Sequence, residues 1–212
     1  MRNVSDCLSR NLHKRRNAEK RFQIYGALAI TTGIVFLVIL FFSIVSKGYP
    51  AFQQTYIKLD VLFNESVIDP EGGRNLETLS RADYGGLLKK SLRTAFPKVK
   101  KRQDRRALSR LVSQGASFQL RDMVLEDQAI IGTVQSVWLV ADDEIDQLIK
   151  GAVNRELPES DRRVKDNQIA WVDRLIADER IEKRFNLIFF TSGDSRDAEL
   201  AGIHGAALGS FY

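Results

Sequence analysis

Apolar and polar positions are unevenly distributed along the chain, and the first break is the sharpest. From Ile24 to Val45 there are 22 consecutive residues without a charge. Between Ile34 and Val45, Phe, Ile, Leu and Val occupy every helical face, so no polar stripe is left for water. At about 1.5 Å per residue the run spans roughly 33 Å, enough to cross a hydrocarbon core of about 30 Å. It predicts a transmembrane helix over residues 22–46. A cleaved signal peptide would have a shorter apolar region and a small-residue cleavage site, and Ser43-Ile44-Val45-Ser46-Lys47 is a poor version of that site.

Beyond Tyr49-Pro50 the periodicity shortens and changes kind. The run from Gln54 to Phe63 carries Tyr56, Ile57, Leu59, Val61, Leu62 and Phe63 and reads as a strand. Asp69-Pro70-Glu71-Gly72-Gly73 is a turn. Asp83 opens a helix to about Ala95, with Leu87, Leu88 and Leu92 on one stripe and Pro97 after it. Lys98 to Ser113 reads as a basic helix, and Phe118, Leu120, Val124 and Leu125 as a short further one. Thr133 to Val140 reads as a strand. Asp142 is the N-cap of a helix that Lys150-Gly151 closes. Ser160 to Asp178 is expected to be a long helix and Arg184 to Thr191 a strand. These elements predict an α+β domain over residues 47–198. Residues 199–212 are apolar, rich in small residues and uncharged after Glu199, which predicts the start of a second membrane helix. Gly205 and Gly209 have the small-xxx-small spacing of close helix packing.

Charge sharpens this picture. The chain has 32 basic and 27 acidic residues, net +5. Residues 1–21 hold seven of the basic residues (Arg2, Arg10, Lys14, Arg15, Arg16, Lys20 and Arg21) against Asp6 and Glu19. The remainder carries 25 of each sign and is neutral. The basic excess therefore belongs to a short arm before the apolar run, which predicts a cytoplasmic N-terminus and an extracytoplasmic domain. It gives no support to a nucleic-acid surface on the folded part. Within that part the run around Lys101, Arg102, Arg105 and Arg106 is the strongest local charge, a candidate patch for lipid headgroups, an acidic partner or an anionic solute.

Candidate chemistry is sparse. The single cysteine, Cys7, lies in the arm, so the domain has no disulfide and folds on its core alone. His13 and His204 are the only histidines, one on each side of the apolar run, so no Ser/His/Asp or Cys/His site is expected in the exterior domain. Metal-ligand spacings and the phosphate-cradling glycine loop are missing from the sequence. Asp142-Asp143-Glu144 is explained as a helix start. Asp194 and Asp197, around Arg196, fall in a turn after the last predicted strand. The expectation is a non-enzymatic chain with no catalytic residue, cofactor or metal; a hydrolase with paired carboxylates is the weakest alternative.

Several separated blocks carry a resemblance. They are Ile44-Val45-Ser46-Lys47-Gly48-Tyr49-Pro50-Ala51-Phe52, Val137-Trp138-Leu139 with Ala141-Asp142-Asp143, and Arg184-Phe185-Asn186 with Phe189-Phe190-Thr191. The most specific is Gly193-Asp194-Ser195-Arg196 with Glu199-Leu200-Ala201-Gly202-Ile203 and Gly209-Ser210-Phe211-Tyr212. In this order they resemble the N-terminal extension of PstA-type permeases of phosphate ABC importers, from about Arg16 onward. The resemblance implies a bacterial inner-membrane location and a periplasmic, non-catalytic accessory domain. It also implies partners: the second permease subunit, the ATPase subunit and the periplasmic phosphate-binding protein. In that family the chain would continue into the permease core, so a truncated polytopic permease is the expectation at Tyr212. A stand-alone single-pass sensor or scaffold is the alternative.

Overall fold

The computed structural model describes the backbone of residues 4–195 and 197–211, and the side chains of residues 16, 18–195, 197 and 199–210. The chain forms two units, Met1–Pro50 and Ala51–Tyr212.

The first unit is one helix, α1 (Val4–Gly48). It contains the predicted span, and the stretch from Ala18 to Phe52 is long and apolar enough to cross a membrane. The large apolar side chains from Phe22 to Val45 are 48–77% exposed within the chain. At about 25 cal/mol per Å² such a surface requires an apolar surrounding, which a bilayer supplies. The side chains of Cys7 and His13 lie outside the described residues.

The second unit is a two-layer α+β domain, in agreement with the predicted class. Its sheet has the order β2-β1-β3 and is antiparallel throughout. The strands are β1 (Gln53–Leu62), β2 (Val134–Val140) and β3 (Ile181–Phe185). β1 is central, with Tyr56 opposite Val140 on one edge and Ile57 opposite Ile181 on the other. Its alternation is strict: Thr55, Ile57, Leu59 and Val61 are buried. These face the helices, while Tyr56, Lys58 and Asp60 occupy the opposite face.

The helices of this layer are α2 (Glu65–Ile68), α3 (Leu76–Arg81), α4 (Tyr84–Ala95), α5 (Arg102–Ser109), α6 (Ala116–Glu126), α7 (Asp143–Ile149) and α8 (Asp166–Ala177). Leu87, Leu88 and Leu92 of α4, which packs on β1, and Leu120 and Val124 of α6, which packs on α4 and β2, belong to one buried core. Asp83 caps α4 by accepting from the Gly86 N–H at 2.8 Å. Asp142 caps α7 as expected, and Gly151, at φ +80°, ends that segment.

Four expectations need correction. The basic helix is shorter than predicted, because Leu111 and Val112 leave it to meet β2: Val112 bridges Ala141, and the Ser113 N–H donates to the Val140 carbonyl at 3.0 Å. The helix expected from Ser160 begins only at Asp166. Lys165 is extended (ψ 157°) and donates its backbone N–H to Gln168 Oε1 at 3.0 Å, which fixes the start. The strand expected over Arg184 to Thr191 ends at Phe185. Asn186 then caps a helix, α9 (Leu187–Thr191), its Oδ1 accepting from the Phe189 N–H at 3.0 Å. Helices α2 and α3 are additions to the predicted elements, short turns capped by Asn64 and Asn75.

One buried carboxylate closes the sheet. The Thr55 carbonyl accepts from the Ala141 N–H at 3.0 Å, just past the end of β2. The Thr55 N–H points to the same side and donates to Asp146 Oδ1 at 3.0 Å. Asp146 Oδ2 pairs with Lys150 Nζ at 2.5 Å, with both side chains nearly buried. Removing this acceptor strands a backbone N–H and an ammonium group. Asp146→Ala is therefore expected to lower the unfolding free energy by about 3 kcal/mol, and Asp146→Asn by less, since its amide oxygen still serves Thr55. Urea unfolding followed by the fluorescence of Trp138 and Trp171 measures both.

Candidate functional site

Two surfaces of the second unit carry unusual residues. The first is where its chain begins and ends. The Asn186 N–H donates to the Phe52 carbonyl at 2.9 Å, and Asn186 Nδ2 to the Ala51 carbonyl at 3.3 Å. The Phe52 ring meets Phe189 edge-on at 5.8 Å and stacks on Phe190 at 5.9 Å; Phe190 also stacks on Phe185 at 5.6 Å. Residues 187–190, read as strand from their composition, instead build a phenylalanine cluster at the end of the sheet. Phe185 is 59% exposed and Leu187 64%.

The terminal segment folds onto this cluster. The Ile203 N–H donates to the Phe189 carbonyl at 2.8 Å and the Gly202 N–H to the Gly193 carbonyl at 2.8 Å. Helix α10 (His204–Phe211) comes next and leaves Leu208 exposed. A Cβ at Gly202 would collide with the Ser192 carbonyl oxygen and lie 2.8 Å from that of Ile188. Gly205 and Gly209, the predicted packing pair, both lie on α10. Gly205 has the Gly193 Cα 3.9 Å from its Cβ position, and Gly209 has nothing within 4 Å among the described residues. Of these three glycines of the terminal segment, Gly202 is the one whose missing side chain admits a close neighbour. Asp194 and Asp197 fall between α9 and a 3-10 turn (Ala198–Leu200), and Arg196 lies outside the described residues.

The second surface is a groove of about 520 Å³ along α5 and the start of α8. Arg102, Arg106, Arg110, Arg163 and Lys165 line it together with Gln103, Ala107 and Gln168. Of the predicted basic patch, Arg102 and Arg106 belong to it. Arg105 turns back, its Nε donating to the Val99 carbonyl at 3.3 Å, and Lys101 is the N-cap of α5. Arg163 and Lys165 escape sequence reading because they are remote in the chain. They are brought in by the buried Gln168, whose Nε2 donates to the Ala107 carbonyl at 3.1 Å. Five like charges lining one groove repel one another.

Arg106 and Arg110 also border a second groove of about 550 Å³, which contains Asp142 and Asp197. Burial pushes the Asp142 carboxyl up to about 7, against the hydrogen bond from the Glu144 N–H and reinforced by Asp143, Glu199 and Glu144. On the opposite side of the sheet, Trp138 lies beneath Arg184 (4.7 Å) and Lys58 (5.7 Å). Asp60 accepts from the Ser136 hydroxyl and from Arg180 Nη2, which together hold its carboxyl below the usual range. Among the described residues no group of three His, Cys, Asp or Glu side chains is placed to hold a metal ion.

These features define an α+β domain following a helix long and apolar enough to span a membrane. A family profile described as a domain of unknown function, DUF3333, matches residues 9–159, more than two thirds of the chain. The chain belongs to that family. No curated protein and no solved structure matches it.

Two measurements probe these surfaces. The Asp142 carboxyl is raised in the folded state, so its stabilisation is complete below about pH 4 and is lost as pH rises to about 7. Asp142→Asn keeps a cap and cannot ionise. Relative to wild type, its melting temperature should be similar near pH 4 and about 2–4 °C higher at pH 8, a shift corresponding to roughly 1 kcal/mol. Gly202→Ala should detach the terminal segment from α9, raising amide exchange at Ile203 and His204 about tenfold or more while leaving exchange in β1 unchanged.

Proposed function

We propose that the chain is a membrane-anchored, non-catalytic accessory domain of the permease subunit of a phosphate ABC importer. In this reading the N-terminal arm is cytoplasmic, α1 crosses the bacterial inner membrane, and the second unit lies in the periplasm. The particular importer rests on the sequence resemblance. The basic arm ahead of the apolar run supports the orientation.

The observation that carries the reading is where the second unit begins and where its last apolar helix starts. Asn186 binds Ala51 and Phe52, and Phe189 binds Ile203, so residues 51–52 and the start of α10 meet at one phenylalanine cluster. A domain looped out between two membrane segments needs its two ends together. The exposed rings of Phe52, Phe185 and Phe190 suit the boundary between water and headgroups.

Two measurements on cells test the proposal. With Cys7 replaced by Ser, a Glu71→Cys chain should react with a membrane-impermeant maleimide from the periplasmic side. A chromosomally tagged chain should co-purify with the second permease subunit and the ATPase subunit, and its deletion should cut uptake of labelled phosphate about tenfold. Unchanged uptake with neither subunit recovered would sink the importer assignment and leave a stand-alone membrane-bound scaffold.

A further inference from the structure

The groove formed by α5 and the segment from Arg163 to Gln168 has no part in that reading. We propose that it is a binding site for a small soluble polyanion carrying two or more linked phosphate groups.

The cations come from two segments far apart in sequence, so they are more than the solvated face of one helix. Both segments are held in place by contacts within the chain, Gln168 Nε2 on the Ala107 carbonyl and Asn167 Nδ2 on Asp104 Oδ1, each at 3.1 Å. The charge is therefore assembled in advance, which lowers the ordering cost of binding.

The groove also gathers cations that the chain leaves without a carboxylate. Seven other arginines of the same unit take a carboxylate partner: Arg81, Arg121, Arg155, Arg162, Arg174, Arg180 and Arg184. None of Arg102, Arg106, Arg110, Arg163 and Lys165 has a side-chain hydrogen bond or ion pair with another described residue. Carboxylates are close by in sequence yet committed elsewhere. Asp104 accepts from Asn167, Asp166 pairs with Arg162, and Glu159 accepts from the Asp166 N–H at 3.2 Å. The repulsion among the five is left for something outside the chain to neutralise.

The chemistry selects that ligand. Planar guanidinium forks match the oxygens of a phosphate group in pairs, and four of the five cations are arginines. About 520 Å³ lies in the range of small-molecule sites, roughly 300–1,000 Å³, and exceeds the needs of a single phosphate. Lys165 is half-buried, and the Ala107 and Gln168 floor places the ligand between α5 and α8.

Isothermal titration of inorganic tripolyphosphate into the full chain, in non-ionic detergent at low salt, tests this. One saturable site is expected, with affinity falling at least tenfold in Arg106→Gln/Arg163→Gln. These side chains are exposed, and an unchanged melting curve checks the fold. The basic N-terminal arm is the competing anion site, so Lys14→Gln/Arg15→Gln/Arg16→Gln should leave the affinity within twofold. Absence of saturable binding overturns the proposal, and so does binding lost in the arm variant but kept in the groove variant. Detergent micelles doped with phosphatidylglycerol form the second arm. Saturable heat from them that the groove substitutions abolish, with none from tripolyphosphate, overturns the soluble ligand in favour of a lipid headgroup.

Discussion

The second unit depends on keeping both edges of β1 paired. A central strand buried on one face has no water to satisfy its backbone, and its partners come from far along the chain, at Val134–Val140 and Ile181–Phe185. The β2 pairing covers Tyr56 to Leu62 and the β3 pairing Gln53 to Ile57, and at the N-terminal end of β1 each is extended by a side chain. On the β2 side Asp146 takes the Thr55 N–H. On the β3 side Asn186 continues the ladder to Phe52 and then reaches Ala51 through its amide. Two polar residues, neither of them conspicuous in sequence, thus decide where the sheet stops and which elements flank it. Asp146 fixes α7 against the sheet; Asn186 turns the chain from strand into α9.

That turn explains which parts of the chain are legible in sequence. β1 and α4 are readable because their periods are clean: alternation from Thr55 to Val61, and Leu87, Leu88 and Leu92 on a helical stripe closed by Pro97. Asp142 and Gly151 punctuate α7 by local chemistry that needs no tertiary help. The run Leu187-Ile188-Phe189-Phe190 is not readable, since a short apolar stretch has no period to distinguish strand from helix, and a distant partner, Phe52, decides. The start of α8 is misleading for a related reason. Val164 is wholly buried and looks helical in pattern, but it packs from the bend ahead of α8. The candidate groove is half legible. The α5 cations stand out as a run, whereas Arg163 and Lys165 join them through the contacts of Asn167 and Gln168 with α5, more than 60 positions away.

The charge distribution becomes clearer once the fold is in place. A neutral domain with equal numbers of acids and bases can pair them all, and the open face of the sheet does so. Asp60 joins Arg180 and Ser136, Arg184 joins Glu182, and Trp138 receives Arg184 and Lys58 on its ring. Neutrality overall therefore conceals a local imbalance. The acids that would neutralise α5 are spent on helix starts and on Arg162, while Asp142, Asp143 and Glu144 crowd the start of α7. The surplus of one sign beside Gln168 and of the other at Asp142 have one origin: acids are placed to begin helices.

Helix α5 separates the two. Arg106 and Arg110 border the cation-only groove on one side and the groove holding Asp142 and Asp197 on the other. Across α5 from the cations, burial raises the Asp142 carboxyl to about 7, and the neighbouring acids Asp143, Glu199 and Glu144 add to that rise. Asp142 also begins α7, whose Asp146 completes β1. The cation groove, the acidic start of α7 and the closure of the sheet therefore meet across α5 and one turn of α7.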